Sequence, residues 1–326
     1  MKSSRMNIAI MLSIASLMIM VFACNLPFLG QQAIYPLRTK EGMNYVDREG
    51  EIVLETDYFQ AGEFYEGFAA VMPDIDGAEW GFIDREGEIV IRPRYDAVWR
   101  FSENYAAVMV DSRWGAVDED GSLVIEPQFF QPFEFSDGLA AVTLVEESAD
   151  SGLRLPGESG FIDTDGEFVI GPLRGIVRGN FVDGLAPVSY LDKNGFIGKD
   201  GEIVIELDED IGPAGPFSEG LAPAVDRRRQ IETGECSFGY VDKDGEWAIE
   251  PQFCEAHPFV EGLARVRTGT DFSEPSYGFI DTDGRLVIDD DFMMVWDFYN
   301  GLVKAFDEDW DGGYINKDGR WVFRDE

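Results

Sequence analysis

The chain has 326 residues, 45% hydrophobic and 13% aromatic, with 36 Gly and 15 Pro; this is enough apolar material for a packed core and excludes a disordered or collagen-like protein. Its 63 Asp and Glu against 26 Lys and Arg leave a formal charge of −37, so most of the exterior repels polyanions and no nucleic-acid partner is expected. One His and three Cys leave little for histidine-based catalysis or a thiolate metal site, and no catalytic residue, metal or cofactor is expected.

At the start of the chain, Lys2 and Arg5 precede an apolar run from Met6 to Phe22, followed by Ala23-Cys24. A charged segment, an apolar core and a small residue before a cleavage point form an export signal over residues 1–23. Val21-Phe22-Ala23-Cys24 resembles the bacterial lipobox, although Phe22 departs from the small or hydroxyl residue usual at its place. The resemblance implies cleavage before Cys24, a diacylglyceryl group on its sulfur, and membrane attachment through acyl chains, each buried CH₂ contributing roughly 0.8 kcal/mol. The alternatives are a secreted protein cut near Gly30 and an uncleaved anchor, since the run of about 17 residues is at the lower edge of what spans a bilayer. Cleavage removes two basic residues and no acids, so the remaining charge is −39. Residues 24–32 then form the lipidated cysteine and a tether of roughly 25 Å when extended; residues 33–326 form one domain held near the membrane.

Within that domain an Asp-x-x-Gly turn followed by an apolar triplet recurs, with Gly50, Gly87, Gly121, Gly166, Gly201, Gly245, Gly284 and Gly319 at its last position. The mean spacing of about 38 residues lies in the range of propellers, solenoids and arrays. A representative copy, Trp80-Gly-Phe-Ile-Asp-Arg-Glu-Gly-Glu-Ile-Val-Ile91, reads as a β-hairpin in which Asp accepts from backbone N–H groups ahead of it and Gly takes positive φ. About a dozen residues later comes Phe-x-[Glu/Asp/Asn]-[Gly/Asn] and a run of the Leu-Ala-Ala-Val type, beginning at Phe64, Phe101, Phe135, Phe181, Phe217, Phe259 and Phe298. This predicts a third strand per unit. Ile89-Val90-Ile91 and Leu139-Ala-Ala-Val142 are apolar on both pleat faces, which predicts that both faces are covered. The small pairs Ala69-Ala70, Ala106-Ala107 and Ala140-Ala141 fit strands that converge on an axis.

These residues resemble the WG-repeat proteins of bacteria, whose repeat looks like Trp-Gly-Phe-Ile-Asp…Gly…Val-Ile…Pro-x-Tyr/Phe…Phe-Ser-Glu-Gly-Leu-Ala-x-Val. Trp80-Gly81 and Trp114-Gly115 keep the dipeptide, and Ser159, Asn194, Phe238, Tyr277 and Gly312 replace the Trp elsewhere. Pro93-Arg-Tyr95, Pro127-Gln-Phe129 and Pro251-Gln-Phe253 keep the Pro-x-aromatic step, while Gly198 and Asn316 replace the turn Asp. The resemblance implies a β-repeat fold and carries no shared catalytic residues. The expected class is all-β: an eight-bladed β-propeller-like ring of three- to four-stranded units, with Ala33 to Arg38 as the degenerate leading strand. A β-solenoid or an open stack of hairpins, capped at both ends, is the alternative.

One connection varies in length. From the end of the Leu-Ala-x-Val strand to the next strand's Gly, the chain spans 7 residues at Val108 to Gly115, but 18 at Val142 to Gly160, 14 at Val225 to Gly239 and 12 at Val266 to Gly278. Such variation marks either a loop-built binding face or neutral drift. Arg227, Arg228 and Arg229 are a basic island suited to carboxylate or phosphate, or a charge balance against Asp226 and Glu232. Trp310, ringed by Asp307, Glu308, Asp309 and Asp311, is a platform for stacking on a sugar or holding a cation, or surface decoration. The Asp-Thr-Asp-Gly runs at 163–166 and 281–284 lack EF-hand spacing and read as turns. His257 occupies the place of Trp99, Phe133 and Trp296 in other copies and reads as a packing residue. Cys236 and Cys254 flank one hairpin in an exported protein, which permits a disulfide; without a bulge, residue 254 lies about three strand steps, roughly 10 Å, beyond the partner of residue 236.

With 63 acids, two carboxylates within glycosidase reach occur by chance and carry no signal. The expected function is a non-catalytic binding or scaffold module, extracytoplasmic at the cell envelope, with a protein or polysaccharide partner held by loops on one face and a membrane contact through its lipid. The alternatives are an envelope glycan-active hydrolase using paired carboxylates and a structural self-assembly protein.

Overall fold

A computed structural model describes residues 33–325 apart from 41, 75–76, 148–153, 174–175, 178, 191–192, 214, 235 and 270–275; the export signal, Cys24 and the tether lie outside the described residues. Among the described residues, no helix is long and apolar enough to cross a membrane. The chain opens with β1 (Tyr35–Thr39), β2 (Gly42–Val46) and β3 (Ile52–Tyr58), a three-stranded antiparallel sheet. The next unit has four strands in sequence order, β4 (Gln60–Tyr65), β5 (Phe68–Met72), β6 (Trp80–Ile83) and β7 (Ile89–Tyr95). Six more units of four strands follow, over residues 97–129, 135–173, 176–206, 211–253, 255–292 and 294–324, the first two of them joined into one eight-stranded sheet by the pairing of Phe129 with Leu144. Tyr35 faces Val46 as Ala69 faces Ile83, so β1 is a second strand, and among the described residues the first unit shows three strands and not the innermost one that carries Phe-x-Glu-Gly in the others.

The Asp-x-x-Gly turns form as their local chemistry dictates: Asp84 Oδ1 accepts from Glu86 N and Glu88 N at 3.1 and 2.9 Å. In Phe64-Tyr-Glu-Gly67, both Glu66 (φ 52°) and Gly67 (φ 92°) are left-handed, the signature of a type I′ turn. A carboxylate residue there costs about 1 kcal/mol in backbone strain. The cost is offset between units: Glu66 accepts from Glu103 N and Asn104 N, Glu103 from Gly138 N, Asp137 from Gly184 N, Glu219 from Gly262 N and Glu261 from Gly301 N.

The Trp-Gly glycine has a steric cause. Partners run from Phe82↔Ile91 to Trp80↔Tyr95, so two steps on β6 oppose four on β7, a bulge that accommodates Pro93 and its missing N–H. A Cβ on Gly81 would lie 2.3 Å from Ile91 O, and Gly115, Gly160, Gly195, Gly239 and Gly313 meet the same carbonyl at 2.1 to 2.4 Å. The bulge also corrects the regular register predicted for the cysteines. Val241↔Trp247 gives way to Phe238↔Phe253, and Cys236 and Cys254, with Cα atoms 4.0 Å apart, are joined in a disulfide.

Units stack through aromatic pairs between a third strand and the next innermost strand: Tyr45–Phe64, Phe82–Phe101, Phe161–Phe181, Phe196–Phe217, Tyr240–Phe259 and Phe279–Phe298, with centroids 4.4 to 5.0 Å apart. Each Asp-x-x-Gly glycine meets the preceding unit's last strand, from Gly87 on Leu54 and Gly121 on Ile91 to Gly319 on Ile288, and Gly50 of the first unit meets Phe323 of the last. Tyr35 OH donates to Asn300 O at 3.0 Å, 265 residues away. The contact that stacks neighbours therefore closes a ring, the eight-bladed propeller-like form, and not a solenoid or open stack. The innermost strands link in turn, Ser102 Oγ to Phe135 O, Ser136 Oγ to Phe181 O and Ser218 Oγ to Phe259 O. Between the last unit and the second, Tyr299 OH reaches Phe64 O at 2.5 Å, a longer side chain in the place of the serine.

Coverage of both faces holds for the second strands but not the outermost ones, where Ile91 is buried while Ile89 (49%) and Val90 (37%) are exposed. Neighbouring units diverge at the rim, so these stretches of the last strand keep one wet face. Gly115→Ala is expected to cost roughly 3 kcal/mol by overpacking, whereas Gly138→Ala, whose Cβ would meet nothing within 4 Å, costs about 1 kcal/mol through its positive φ. Urea unfolding compares them, and equal losses would rule out the bulge as the reason for the glycine.

Candidate functional site

The antiparallel order gives the ring two ends. The Phe-x-Glu-Gly and Asp-x-x-Gly turns share one; the second-to-third connections and the links between units share the other. All the length variation is at this loop end. In the unit 135–173 it is a hairpin extension, Leu139–Glu147 with Arg154–Ile162. In the unit 211–253 it is a helix, α1 (Arg227–Thr233), with Asp226 as N-cap and Gly234 as left-handed C-cap.

The helix separates the three arginines, since successive residues turn by about a quarter of the circumference. Arg227 Nη2 donates to Ser189 Oγ at 3.0 Å, Arg228 pairs with Asp210 at 3.0 Å, and Arg229 Nη1 donates to Pro251 O at 2.7 Å. The structure does not bring the three guanidinium groups together; each engages a group of its own chain.

Trp310, 56% exposed, projects from a loop whose Asp307 Oδ1 accepts from Asp309 N and Asp311 N at 3.1 and 3.0 Å. It lines a cleft of about 360 Å³ between the last two units. Trp296, 45% exposed, is in the same cleft, so a side chain read from the repeat as packing stands in the candidate site. Phe306 links the two tryptophans, with centroids 5.8 Å from Trp296 and 6.3 Å from Trp310. Met293, Met294 and Val295 add apolar surface. The one signal for Trp296 in the sequence is that its repeat position holds Gly62, Gly179 or Gly215 in other units, so a large ring there is not needed for packing.

The floor of the cleft is a polar network around His257. Arg265 Nη2 lies 3.1 Å from His257 Nδ1, and His257 Nε2 lies 2.8 Å from Glu255 Oε1. Arg can only donate, so Nδ1 accepts and Nε2–H donates to the carboxylate. Glu255 Oε2 also accepts from Tyr277 OH at 2.9 Å, while Arg265 pairs with Asp297 at 3.1 Å and Arg267 with Glu255 at 3.5 Å. The hydrogen bond from His257 is the main reason that Glu255 is held down to about 2. A second cleft of about 260 Å³ adjoins Trp99, whose Nε1 donates to Glu134 Oε2 at 3.2 Å. In the two Asp-Thr-Asp-Gly turns, Asp163 and Asp281 spend Oδ1 on backbone N–H groups. Among the described residues no group of three or more His, Cys, Asp or Glu is placed to hold a metal ion.

Because the folded pKa of Glu255 is depressed, its contribution to stability is complete above its ordinary value of 4.5 and is lost as pH falls toward about 2. Glu255→Gln should flatten that limb of an acid-unfolding curve followed by tryptophan fluorescence; an unchanged limb would show that the network adds nothing.

No curated protein sequence matches the chain. Among solved structures, BamB from Moraxella catarrhalis is similar with TM-score 0.47 and 12% identity over 88% of this chain and 97% of that one. Apo AztD from Citrobacter koseri is similar with TM-score 0.47 and 11% identity over 90% and 93%. The Pyrococcus horikoshii acylaminoacyl peptidase reaches TM-score 0.50 at 12% identity, over 78% of this chain and 50% of its own, a likeness of fold alone. The WG containing repeat profile matches residues 45–72, 80–114, 114–144, 195–226, 238–269 and 277–305. With more than half of its length so matched, in register with the strands that build the ring, the chain belongs to the WG-repeat family.

Proposed function

We propose that this protein is a non-catalytic binding scaffold of the cell envelope, carried on a lipidated Cys24, which takes a protein or polysaccharide at the loop end of its ring. The observation that carries the reading is the Trp296–Trp310 cleft, where two large half-exposed rings stand on the one end of the fold whose connections vary. The opposite end is occupied by turns bonded to one another. The carboxylates at the cleft argue against acid catalysis: Glu255 is paired with Arg267 and Asp297 with Arg265, and a glycosidase acid needs a raised pKa whereas Glu255 is held at about 2. Glu63 is pushed up by burial, but it lines neither cleft. The Cys236–Cys254 disulfide fits an oxidising compartment outside the cytoplasm.

Screening the purified protein against envelope polysaccharides and peptides should show binding weakened by Trp310→Ala and no turnover. Turnover abolished by a single Asp or Glu substitution would overturn the scaffold reading. Mass spectrometry of the mature N-terminus should find an acylated Cys24; an unmodified Cys24, or a chain starting beyond it, would refute the anchor.

A further inference from the structure

We infer that the Trp296–Trp310 cleft takes a Lys or Arg side chain from a basic segment of a partner protein. The inference rests on the binding-scaffold reading and adds the chemistry of the ligand. Trp296, Phe306 and Trp310 form one run of rings, and a cation over such faces gains about 0.5 to 2 kcal/mol as it is desolvated. The same surface already uses this contact internally: Lys304 Nζ lies 5.7 Å from the Phe306 centroid, and the Arg324 guanidinium lies 3.7 Å from that of Trp321. Met293 and Met294 offer adaptable apolar surface for an aliphatic stem and its neighbours.

Charge selects the sign of the partner. The two arginines lining the cleft are paired, Arg265 with Asp297 and Arg267 with Glu255. The exposed residues next to the lining along the chain, Asp291, Asp297, Glu308, Asp309 and Asp311, are acidic, and the exposed Arg324 is paired with Asp307. On a chain of net charge −37, the field steers a cationic segment in and repels an acidic one or a second copy. A neutral glycan is the less suited occupant. The groups that would hydrogen-bond its hydroxyls are committed, with Glu255 engaging His257, Tyr277 and Arg267, and Arg267 only 4% exposed.

The test is calorimetric titration of the purified protein with three probes: a Lys/Leu-alternating peptide, the same peptide with Glu for Lys, and a neutral hexose oligosaccharide. The Lys peptide alone should bind, about tenfold or more weaker when salt is raised from low to physiological strength. Trp296→Ala and Trp310→Ala should each weaken it about tenfold, and Trp99→Ala should leave it unchanged. Glu308→Gln with Asp309→Asn, which alters charge and not packing, should weaken it as well. Equal binding of the Glu peptide, or full affinity in both tryptophan variants, would overturn the inference. Binding of the oligosaccharide through Trp310 without the Lys peptide would overturn the cationic assignment while leaving the scaffold reading intact.

Discussion

Everything in this ring depends on a contact between neighbours: the glycine of an Asp-x-x-Gly turn set against an aliphatic or aromatic side chain on the last strand of the unit before it. A unit of about 38 residues cannot enclose its own apolar surface, so Ile91, Ile125, Ile249 and Ile288 are buried by the next unit along. The aromatic pairs between third and innermost strands do the same nearer the axis. Stability is then a nearest-neighbour sum, and closure removes the two ends that would otherwise need caps.

Among the described residues, side-chain contacts join the first and last units. Tyrosines make this junction where serines serve elsewhere: Tyr299 reaches Phe64 O, Tyr35 reaches Asn300 O, and the Tyr35 ring packs on Tyr314 with centroids 5.3 Å apart. Arg48 donates to Asn300 O as Lys317 donates to Glu261 O, so the seam repeats the ordinary junction with longer side chains. With the turn end held by this bonding, insertions are tolerated at the loop end, where they add contacts to neighbouring units, as Arg227 does at Ser189 and Glu147 at Arg113. Recognition chemistry accordingly collects there.

The legibility of the candidate site in the sequence followed the range of the interactions involved. Trp310 stood out because four acids surround it within five residues. Trp296 did not, because its neighbours in the chain are those of a packing position, although the structure leaves it exposed, as it leaves Trp99 at the same place in another unit. The arginine triplet looked like one feature in a linear reading and becomes three separate contacts once wound on a helix. The helix itself had a local signal, an Asp cap and a Gly stop eight residues apart, at Asp226 and Gly234. His257 was legible as a substitute for an aromatic ring, while its place between Arg265 and Glu255 depends on strands meeting across the sheet.

What the amino-acid order by itself determined was the module: Asp and Gly spaced for a turn, alternation for the flanking strands, the number of copies, and the acidic balance that sets the sign of the surface field. These rest on hydrogen bonds and steric limits spanning a few residues. The tertiary structure alone decided that the copies close on themselves, since that depends on contacts such as Tyr35 to Asn300 across 265 positions. It also decided the bulged register that joins Cys236 to Cys254, because the two extra residues are taken up only where a neighbouring strand lacks a Cβ to block them. The cleft belongs to this second class: its walls come from two units, and no stretch of chain contains both.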